Sequence, residues 1–147
     1  LDLPVAAHLP RDYVAREDLR LEAYRRLATV TTHAEVTDVR TEWEDRYGPP
    51  PKAAEALLAV GRLRAECART AVREITVARG VARISPLTLK TSQRIRLQRL
   101  HPKAVYKEDL DQVVLPVPKG ADPAAFLVEF LGAMVPVEDS SVASATS

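Results

Sequence analysis

The sequence predicts an α+β fold: an N-terminal group of three helices, a small and mostly antiparallel sheet, and a closing C-terminal helix. Apolar residues recur at intervals of three and four, which is typical of helices, up to about residue 71. The spacing then changes to the shorter alternation of strands and becomes helical again after Asp122. We therefore expect residues 1–136 to form a single domain and the small, polar residues 137–147 to form a disordered tail.

The first two helices are predicted from their ends. A proline-containing extended segment precedes the first helix, which we expect from about residue 17 to residue 30. Thr32 and Glu35 have the spacing of a capping box, which predicts that the second helix begins at this point. Gly48 and the three prolines that follow it predict the end of that helix.

A third helix is expected from about residue 52 to residue 71. The residues predicted to face the core from this helix are Ala56, Val60, Leu63 and Cys67. Cys67 is interpreted as a small core residue, because no neighbouring group in the sequence activates its thiol.

The segment after the third helix has the composition of a small sheet. Three strands are predicted at residues 75–77, 81–84 and 87–89, the first two on either side of a glycine. A further hairpin is predicted from residues 105–106 and 113–115, around an acidic turn.

Two more helices are predicted in the second half. Residues 91–100 fit either a short helix, with Ile95 and Leu100 facing the core, or an alternating strand; the helix is favoured. Asp122 as the N-cap and Pro123 at the first helical position predict the start of the last helix. Its apolar side is formed by Phe126, Leu127, Phe130, Leu131 and Met134.

Length and composition limit the class of protein. The 147 residues are enough to bury a core without disulfides. No apolar run reaches the roughly 18 residues that span a membrane, and no signal-peptide pattern is present. A single cysteine excludes an internal disulfide and fits a reducing compartment, so we expect a cytoplasmic protein without membrane contact. Because the chain begins at Leu1 and not at Met, we expect it to be a piece of a longer polypeptide.

The net charge of +1 hides a segregation of charges along the chain. Residues 1–60 have a net charge of −3, residues 61–107 of +10, and residues 108–147 of −6. Either the basic block contacts phosphate, or it folds against the acidic flanks and is neutralised by them. Few aromatic residues stand in the block for base stacking, so phosphate contact is all that it offers to nucleic acid. The candidates for phosphate contact are Arg94, Arg96, Arg99 and Lys103.

No pattern typical of catalysis or metal binding stands out. The glycines lie far apart, whereas a loop that cradles phosphate needs several of them together. His8, His33 and His101 are widely separated, and one cysteine does not complete a zinc site. Serine, histidine and aspartate occur without a nucleophile elbow. We therefore predict no catalytic residue, no metal and no cofactor for this chain.

The second predicted helix has two different faces. Its apolar face is formed by Val36, Val39, Trp43 and Tyr47. Its acidic stripe is formed by Glu35, Asp38, Glu42 and Asp45. Four like charges at helical spacing repel one another mildly unless a basic partner meets them. The acidic stripe is therefore either a solvated helix face or a contact with a basic partner.

Three segments of the first half carry a family resemblance. They are LPVAAHLPRDYVAREDLRLEAYRRLA, EWEDRYGPPP and ALLAVGRLRAECA. They resemble the opening segment and the next two helices of the C-terminal domain of bacterial transcription-repair coupling factor (Mfd). The similarity covers residues 1–80 and is looser from residue 81 to residue 136.

The resemblance implies a function for the parent protein and for this domain. It implies that the parent is an ATP-dependent DNA translocase of helicase superfamily 2, with its motor motifs upstream and ATP and Mg²⁺ as the motor's cofactors. The parent is expected to recognise stalled RNA polymerase and to recruit the excision-repair protein UvrA. This domain is expected to pack on the parent's N-terminal module, to mask its UvrA-binding surface, and to restrain ATPase activity and DNA translocation.

The resemblance also assigns residues. It places Glu42 and Asp45 at the acidic positions that face basic residues of the N-terminal module. Glu44 departs from the family pattern, which has an apolar residue at this position. The alternative function is an auxiliary DNA-contacting domain that uses residues 61–107.

Overall fold

The α+β fold predicted from the sequence is confirmed in a computed structural model, which describes residues 1–4 and 7–136. The tail predicted at residues 137–147 lies outside the described residues. The elements of the described part are α1 (Glu17–Ala28), α2 (His33–Tyr47), α3 (Lys52–Thr70), β1 (Glu74–Ala78), β2 (Val81–Ser85), α4 (Thr91–Leu100), β3 (Val105–Lys107), β4 (Gln112–Pro116) and α5 (Pro123–Met134). A single 3-10 turn, Glu108–Leu110, connects β3 to β4. None of the helices in this part of the chain is long and apolar enough to cross a membrane.

The four strands form one antiparallel sheet in the order β1-β2-β4-β3. Ile75 lies opposite Ile84, and Ile84 lies opposite Val113, so that one face of the sheet is apolar and buried. At the β1 edge, Asp2 forms a parallel bridge with Thr76. The predicted hairpins at both ends of the sheet are confirmed, and the N-terminal residues cover one of its edges.

The strand predicted at residues 87–89 is wrong. Leu87 and Leu89 are buried and Thr88 is exposed, so the alternation that led to the prediction is present. However, the Leu87 N–H donates to the carbonyl of Asp111 at 2.8 Å, and the Leu89 N–H donates to the Tyr106 hydroxyl at 3.1 Å. The segment is extended and buried, but its hydrogen bonds go to a loop and a side chain and not to a neighbouring strand.

Helix α3 packs on two cores. The predicted side is confirmed for Val60, Leu63 and Cys67, which pack on one core, and the second buried side was not predicted. Leu58 belongs to a helical core with α1 and α2, whereas Leu63 belongs to a core with the sheet, α4 and α5. Of the residues predicted to face inward, Leu63 is fully buried, while Ala56, Val60 and Cys67 are half-buried. Burial raises the pKa of the Cys67 thiol, which keeps it protonated and unreactive.

The predicted helix at residues 91–100 is confirmed, but its predicted orientation is wrong. Leu97 is buried, whereas Ile95 and Leu100 are 62% and 46% exposed. Residues two positions apart lie on opposite sides of a helix, so Ile95 and Leu97 do not both face the core. The last helix is confirmed with its cap: the Asp122 carboxylate accepts a hydrogen bond from the Ala125 N–H at 3.1 Å.

A buried carboxylate ties the helical core to the end of α5. Glu66 on α3 is 4% exposed, and its carboxylate lies 2.6 Å from His33 Nε2 and 2.7 Å from an Arg69 guanidinium nitrogen. Arg69 also donates to the carbonyl of Leu131 at 3.4 Å. These contacts connect the start of α2, the last turn of α3 and the last turn of α5.

A matched pair of helical glycines tests the contact between α1 and α3. A Cβ atom at Gly61 would lie 3.1 Å from the Leu27 Cδ1 atom and 3.5 Å from Val36, whereas one at Gly132 meets no atom within 4 Å. We expect Gly61→Val to lower the free energy of unfolding by about 1–3 kcal/mol, and Gly132→Val to leave it nearly unchanged. Urea unfolding of both variants measures the difference; equal losses would contradict close packing at Gly61.

The Glu66 cluster predicts a pH dependence of stability. Burial alone would raise the pKa of the Glu66 carboxyl, but hydrogen bonds and charge from Arg69 and His33 outweigh it and hold the pKa below its ordinary value. A carboxyl with a lowered pKa contributes stability above its unfolded pKa and loses this contribution as pH falls through the folded pKa. Glu66→Gln should therefore lower stability at neutral pH by about 1–3 kcal/mol and flatten its decline below about pH 4.5. Parallel pH profiles of the two proteins, measured by thermal unfolding, would contradict this.

Candidate interdomain docking surface

The contacts at the two ends of α2 and along its buried side determine which side of this helix faces outward. The Thr32 hydroxyl accepts from the Glu35 N–H at 3.1 Å and the Glu35 carboxylate accepts from the Thr32 N–H at 3.1 Å, so the predicted capping box is confirmed. Gly48 ends the helix with a φ of 91°, a conformation that favours glycine, and its carbonyl accepts a hydrogen bond from the Tyr13 hydroxyl at 2.8 Å. Trp43 is 2% exposed. With these contacts fixed, the acidic stripe points outward.

Glu35 is engaged in the cap. Its carboxylate accepts hydrogen bonds from the backbone N–H groups of Thr31, at 2.8 Å, and Thr32, and lies close to both hydroxyls. The hydrogen bond from the Thr31 backbone is the main cause that lowers the pKa of this carboxyl. Glu35 therefore holds the helix start, and its carboxylate is not available to a partner without loss of the cap.

Glu42 is paired within the domain. Its carboxylate forms ion pairs with Arg26 on α1 and, at 3.2 Å, with Arg46 one turn further along α2. Arg46 also lies over the Tyr47 ring, 5.2 Å from its centroid. The Glu42 side chain is 37% exposed, so a partner reaches it only in competition with two arginines.

Asp38 and Asp45 are the outward charges of the acidic stripe. Both residues are exposed, and within residues 1–4 and 7–136 neither carboxylate has a cationic nitrogen within 4 Å. They are seven residues apart, so they lie on the same side of the helix about 10 Å from each other along its axis. The acidic stripe therefore presents two available carboxylates at a fixed distance.

A small groove lies beside the stripe, between α1 and α2. Its volume is about 120 Å³, and its lining residues are Leu19, Glu22, Ala23, Arg26, Glu42, Trp43, Arg46 and Tyr47. Small-molecule sites occupy about 300–1,000 Å³. The groove has room for one side chain of a partner protein and is too small for an ordinary ligand.

Glu44 lies beside the acidic stripe and is exposed to solvent. It accepts from Arg40 at 3.4 Å, and Arg40 also binds the carboxylate of Glu55 on α3 at 2.7 Å. These contacts link α2 to α3. The Glu44 carboxylate thus has a cationic partner, at a position where the family resemblance implies an apolar residue.

The four basic candidates do not form one free cluster. Arg94 pairs with Glu108 at 2.9 Å and lies over the Tyr106 ring at 4.9 Å. Arg96 donates to the carbonyl of Ala133 at 2.7 Å, at the end of α5. Arg99 and Lys103 are exposed and have no carboxylate within 4 Å in the described part of the chain. Two of the four candidates are therefore engaged within the domain, and phosphate contact stays a prediction.

Comparison with known proteins decides the family. The TRCF domain model matches residues 3–99, which is more than half of the chain. This chain belongs to the transcription-repair coupling factor family. It is 46% identical over 120 residues to the transcription-repair-coupling factor of Mycobacterium tuberculosis, which is 81% of this chain and 10% of that protein. It is 31% identical over 75 residues to that of Escherichia coli, which is 51% of this chain and 6% of that protein.

The fold is also that of a solved domain of the family. A crystal structure of the C-terminal domain of transcription-repair coupling factor aligns with a TM-score of 0.77, at 18% sequence identity. The alignment covers 95% of this chain and 93% of that one. The chain spans about a tenth of the length of the curated relatives above. It thus has the fold of the family's C-terminal domain.

Sequence reasoning missed two features of this surface. Glu42 and Arg46 are four residues apart, a spacing that favours an ion pair on a helix, and this signal was available. The contact between Glu42 and Arg26 depends on how α1 crosses α2, and no local pattern predicts it. The Glu42 carboxylate is therefore less available to the cation of a partner, and the Asp38 carboxylate more available, than the sequence indicates.

The N-cap of α2 and the outward aspartates of its acidic stripe should contribute differently to stability. Thr32→Ala removes the acceptor of the cap and should lower the free energy of unfolding by about 1 kcal/mol. Asp38→Ala and Asp45→Ala remove outward carboxylates and should change it by less than about 0.5 kcal/mol. Thermal and urea unfolding of the three variants check this. A loss in the aspartate variants as large as that in Thr32→Ala would mean that these carboxylates are structural.

Proposed function

We propose that this chain is the C-terminal regulatory domain of a transcription-repair coupling factor, and that it is a non-catalytic, autoinhibitory module. In this proposal it docks on the N-terminal module of the same protein through the acidic stripe of α2. Docking masks the UvrA-binding surface and restrains an ATP-dependent DNA translocase of helicase superfamily 2, whose motor uses ATP and Mg²⁺. UvrA, RNA polymerase and DNA are then partners of the parent protein, and they meet this domain only indirectly.

The observation that supports this proposal most is the outward pair of Asp38 and Asp45. Both carboxylates stand on a helix that is capped at its start, closed by Gly48 at its end and buried along its other side. A rigid helix keeps their separation constant, so two basic side chains of a partner about 10 Å apart match both at once.

The strength of such a contact suits a reversible latch. Exposed ion pairs contribute about 0.2–1 kcal/mol each. Two or three of them shift a docking equilibrium by roughly one order of magnitude, which a competing partner overcomes. Glu42 contributes less than Asp38 or Asp45, because a partner's cation must first displace Arg26 or Arg46 from it.

The alternative, DNA contact through residues 61–107, has less support. Arg94 and Arg96 are held by Glu108 and by the end of α5, so the block offers fewer free cations than its composition indicates. Affinity for phosphate rises with the number of cations that contact it. The block also neutralises itself in part, through contacts such as Arg69 with Glu66.

Charge reversal on α2 tests docking directly. The double variant Asp38→Lys, Asp45→Lys should bind the separately produced N-terminal module at least about tenfold more weakly than the unaltered domain, in an interaction that weakens with salt. The matched control is Asp12→Lys, Glu129→Lys, which changes the net charge equally at exposed positions outside α2. Titration by isothermal calorimetry or fluorescence anisotropy measures both. Equal weakening by the two double variants would show a general charge effect and contradict a defined docking face.

The same double variants in the full-length protein test autoinhibition. ATP turnover without RNA polymerase should rise in the Asp38→Lys, Asp45→Lys protein and stay unchanged in the control. If binding weakens but turnover does not rise, the domain docks without restraining the motor, and the autoinhibitory part of the proposal is wrong.

A further inference from the structure

A groove lies on the surface between α3 and α5, and we call it the α3–α5 groove. Its volume is about 390 Å³. Its apolar lining is formed by Ala56, Leu58, Ala59, Ala125 and Val128. Leu58 is buried, whereas Ala125 is exposed and the other three are half-buried, so the groove is open to solvent. Single exposed apolar residues are normal, whereas several that line one concave surface are typical of an interaction site.

The walls of the groove are two helices that run in the same direction. Lys52 at the start of α3 and Asp122 just before α5 both line it. Towards the other ends of these helices, an Arg69 guanidinium nitrogen on α3 donates to the carbonyl of Leu131 on α5 at 3.4 Å. Arg62, which also lines the groove, follows Lys52 by ten residues, which is about 15 Å along α3.

The groove is longer than one pocket. A second depression, of about 480 Å³, shares Lys52, Ala56 and Asp122 with it and extends to His8 in the N-terminal segment. A small-molecule site usually buries about 70–90% of the surface of its ligand. An elongated groove that is open on one side does not enclose a compact molecule to that extent, but it accommodates one side of a helix.

The two carboxylates that line the α3–α5 groove are engaged within the domain. Glu55 accepts hydrogen bonds from the Arg40 guanidinium through both of its oxygens, at 3.2 and 2.7 Å. Asp122 caps α5 and accepts from the Ala125 N–H at 3.1 Å. Neither carboxylate is therefore available to a partner without the loss of a contact that holds a helix.

The two cations of the groove have no such partners. Within residues 1–4 and 7–136, neither Lys52 nor Arg62 has a carboxylate oxygen within 4 Å. Arg62 donates to the hydroxyl of Thr37 at 3.3 Å, a contact that leaves its charge without a counter-ion. The groove thus combines an apolar lining with two available positive charges, and a partner of opposite charge complements it.

We propose that the α3–α5 groove binds an amphipathic helix of a partner protein. The apolar side of that helix lies on the alanines and Val128, and its carboxylates, about 15 Å apart, meet Lys52 and Arg62. Nucleic acid fits this groove less well, because an apolar lining gains nothing from phosphate. A second copy of this chain fits less well too, because its own groove carries the same charges. The groove is a different surface from the acidic stripe of α2, and the proposal does not depend on the proposed function.

A synthetic helix tests this on the intact chain. The probe is a fluorescein-labelled peptide of alanine, leucine and glutamine with glutamates near both ends, about 15 residues long so that it is able to form a helix. The comparison probes are the same peptide with lysine for glutamate and a labelled DNA duplex. We expect saturable binding of the glutamate peptide by fluorescence anisotropy and no binding of the lysine peptide.

A substitution in the groove should block the peptide without unfolding the domain. Ala125→Glu places a larger, negative side chain in the groove and should weaken binding of the glutamate peptide by at least about tenfold. Ala34→Glu is the matched control, because Ala34 is also an exposed alanine in the first turn of a helix but lies on α2. A negative charge suits the first turn of a helix, so thermal unfolding should show neither variant to be less stable.

Removal of one cation tests the charge separately. Arg62→Gln keeps a polar side chain beside Thr37 and should weaken binding of the glutamate peptide several-fold. Arg99→Gln removes an exposed arginine on α4, outside the groove, and should leave binding unchanged.

Three results would overturn the proposal. The first is that the glutamate peptide does not bind. The second is that the two control variants weaken its binding as much as Ala125→Glu and Arg62→Gln do. The third is that another occupant takes the groove in place of the peptide. This would be seen as Arg62-dependent binding of the duplex, or as a dimer in sedimentation equilibrium that Ala125→Glu disrupts.

Discussion

The position of α3 between two cores constrains the rest of the domain. Leu58 and Leu63 are both buried, yet they are five residues apart and point about 140° away from each other around the helix. Glu66 on the same helix is buried as well. A buried carboxylate is stable only when it is paired and hydrogen-bonded, and His33 and Arg69 supply both. The same contacts fix the start of α2 and the end of α5 relative to α3.

The proposed docking surface follows from this constraint. Helix α2 is held against α3 by its apolar side, by the contact of His33 with Glu66 and by the ion pair of Arg40 with Glu55. Its outward side is then determined, and with it the separation of Asp38 and Asp45. Because Glu42 is already partly neutralised by Arg26 and Arg46, the surface attracts cations more weakly than four free carboxylates do. Weak attraction at a fixed geometry gives selectivity without a permanent complex.

Helix starts, which were predicted from capping residues, agree with the structure better than the buried faces of helices, which were predicted from the spacing of apolar residues. The capping box at Thr32 and the cap at Asp122 act within three residues, and both helices begin where these residues indicate. Apolar pattern identified elements but misplaced faces: α4 buries Leu97 and exposes Ile95, because the choice depends on where β3 and α5 lie. The acidic stripe itself was visible in the sequence, whereas the neutralisation of Glu42 by Arg26 was not, since that contact joins two helices whose crossing is set by the core.

The net charge of +1 is a poor guide to how this domain meets other molecules. At physiological ionic strength, charges more than about 8 Å apart are largely screened, so each surface acts through its own side chains. Asp38 and Asp45 on α2 therefore attract cations, while the exposed Arg99 on α4 and Lys103 after it attract anions, and neither effect cancels the other. The two surfaces stand on different cores, α2 on the helical one and α4 on the one that includes the sheet. The docking proposed for α2 therefore depends on the carboxylates of that helix and not on the net charge of the domain.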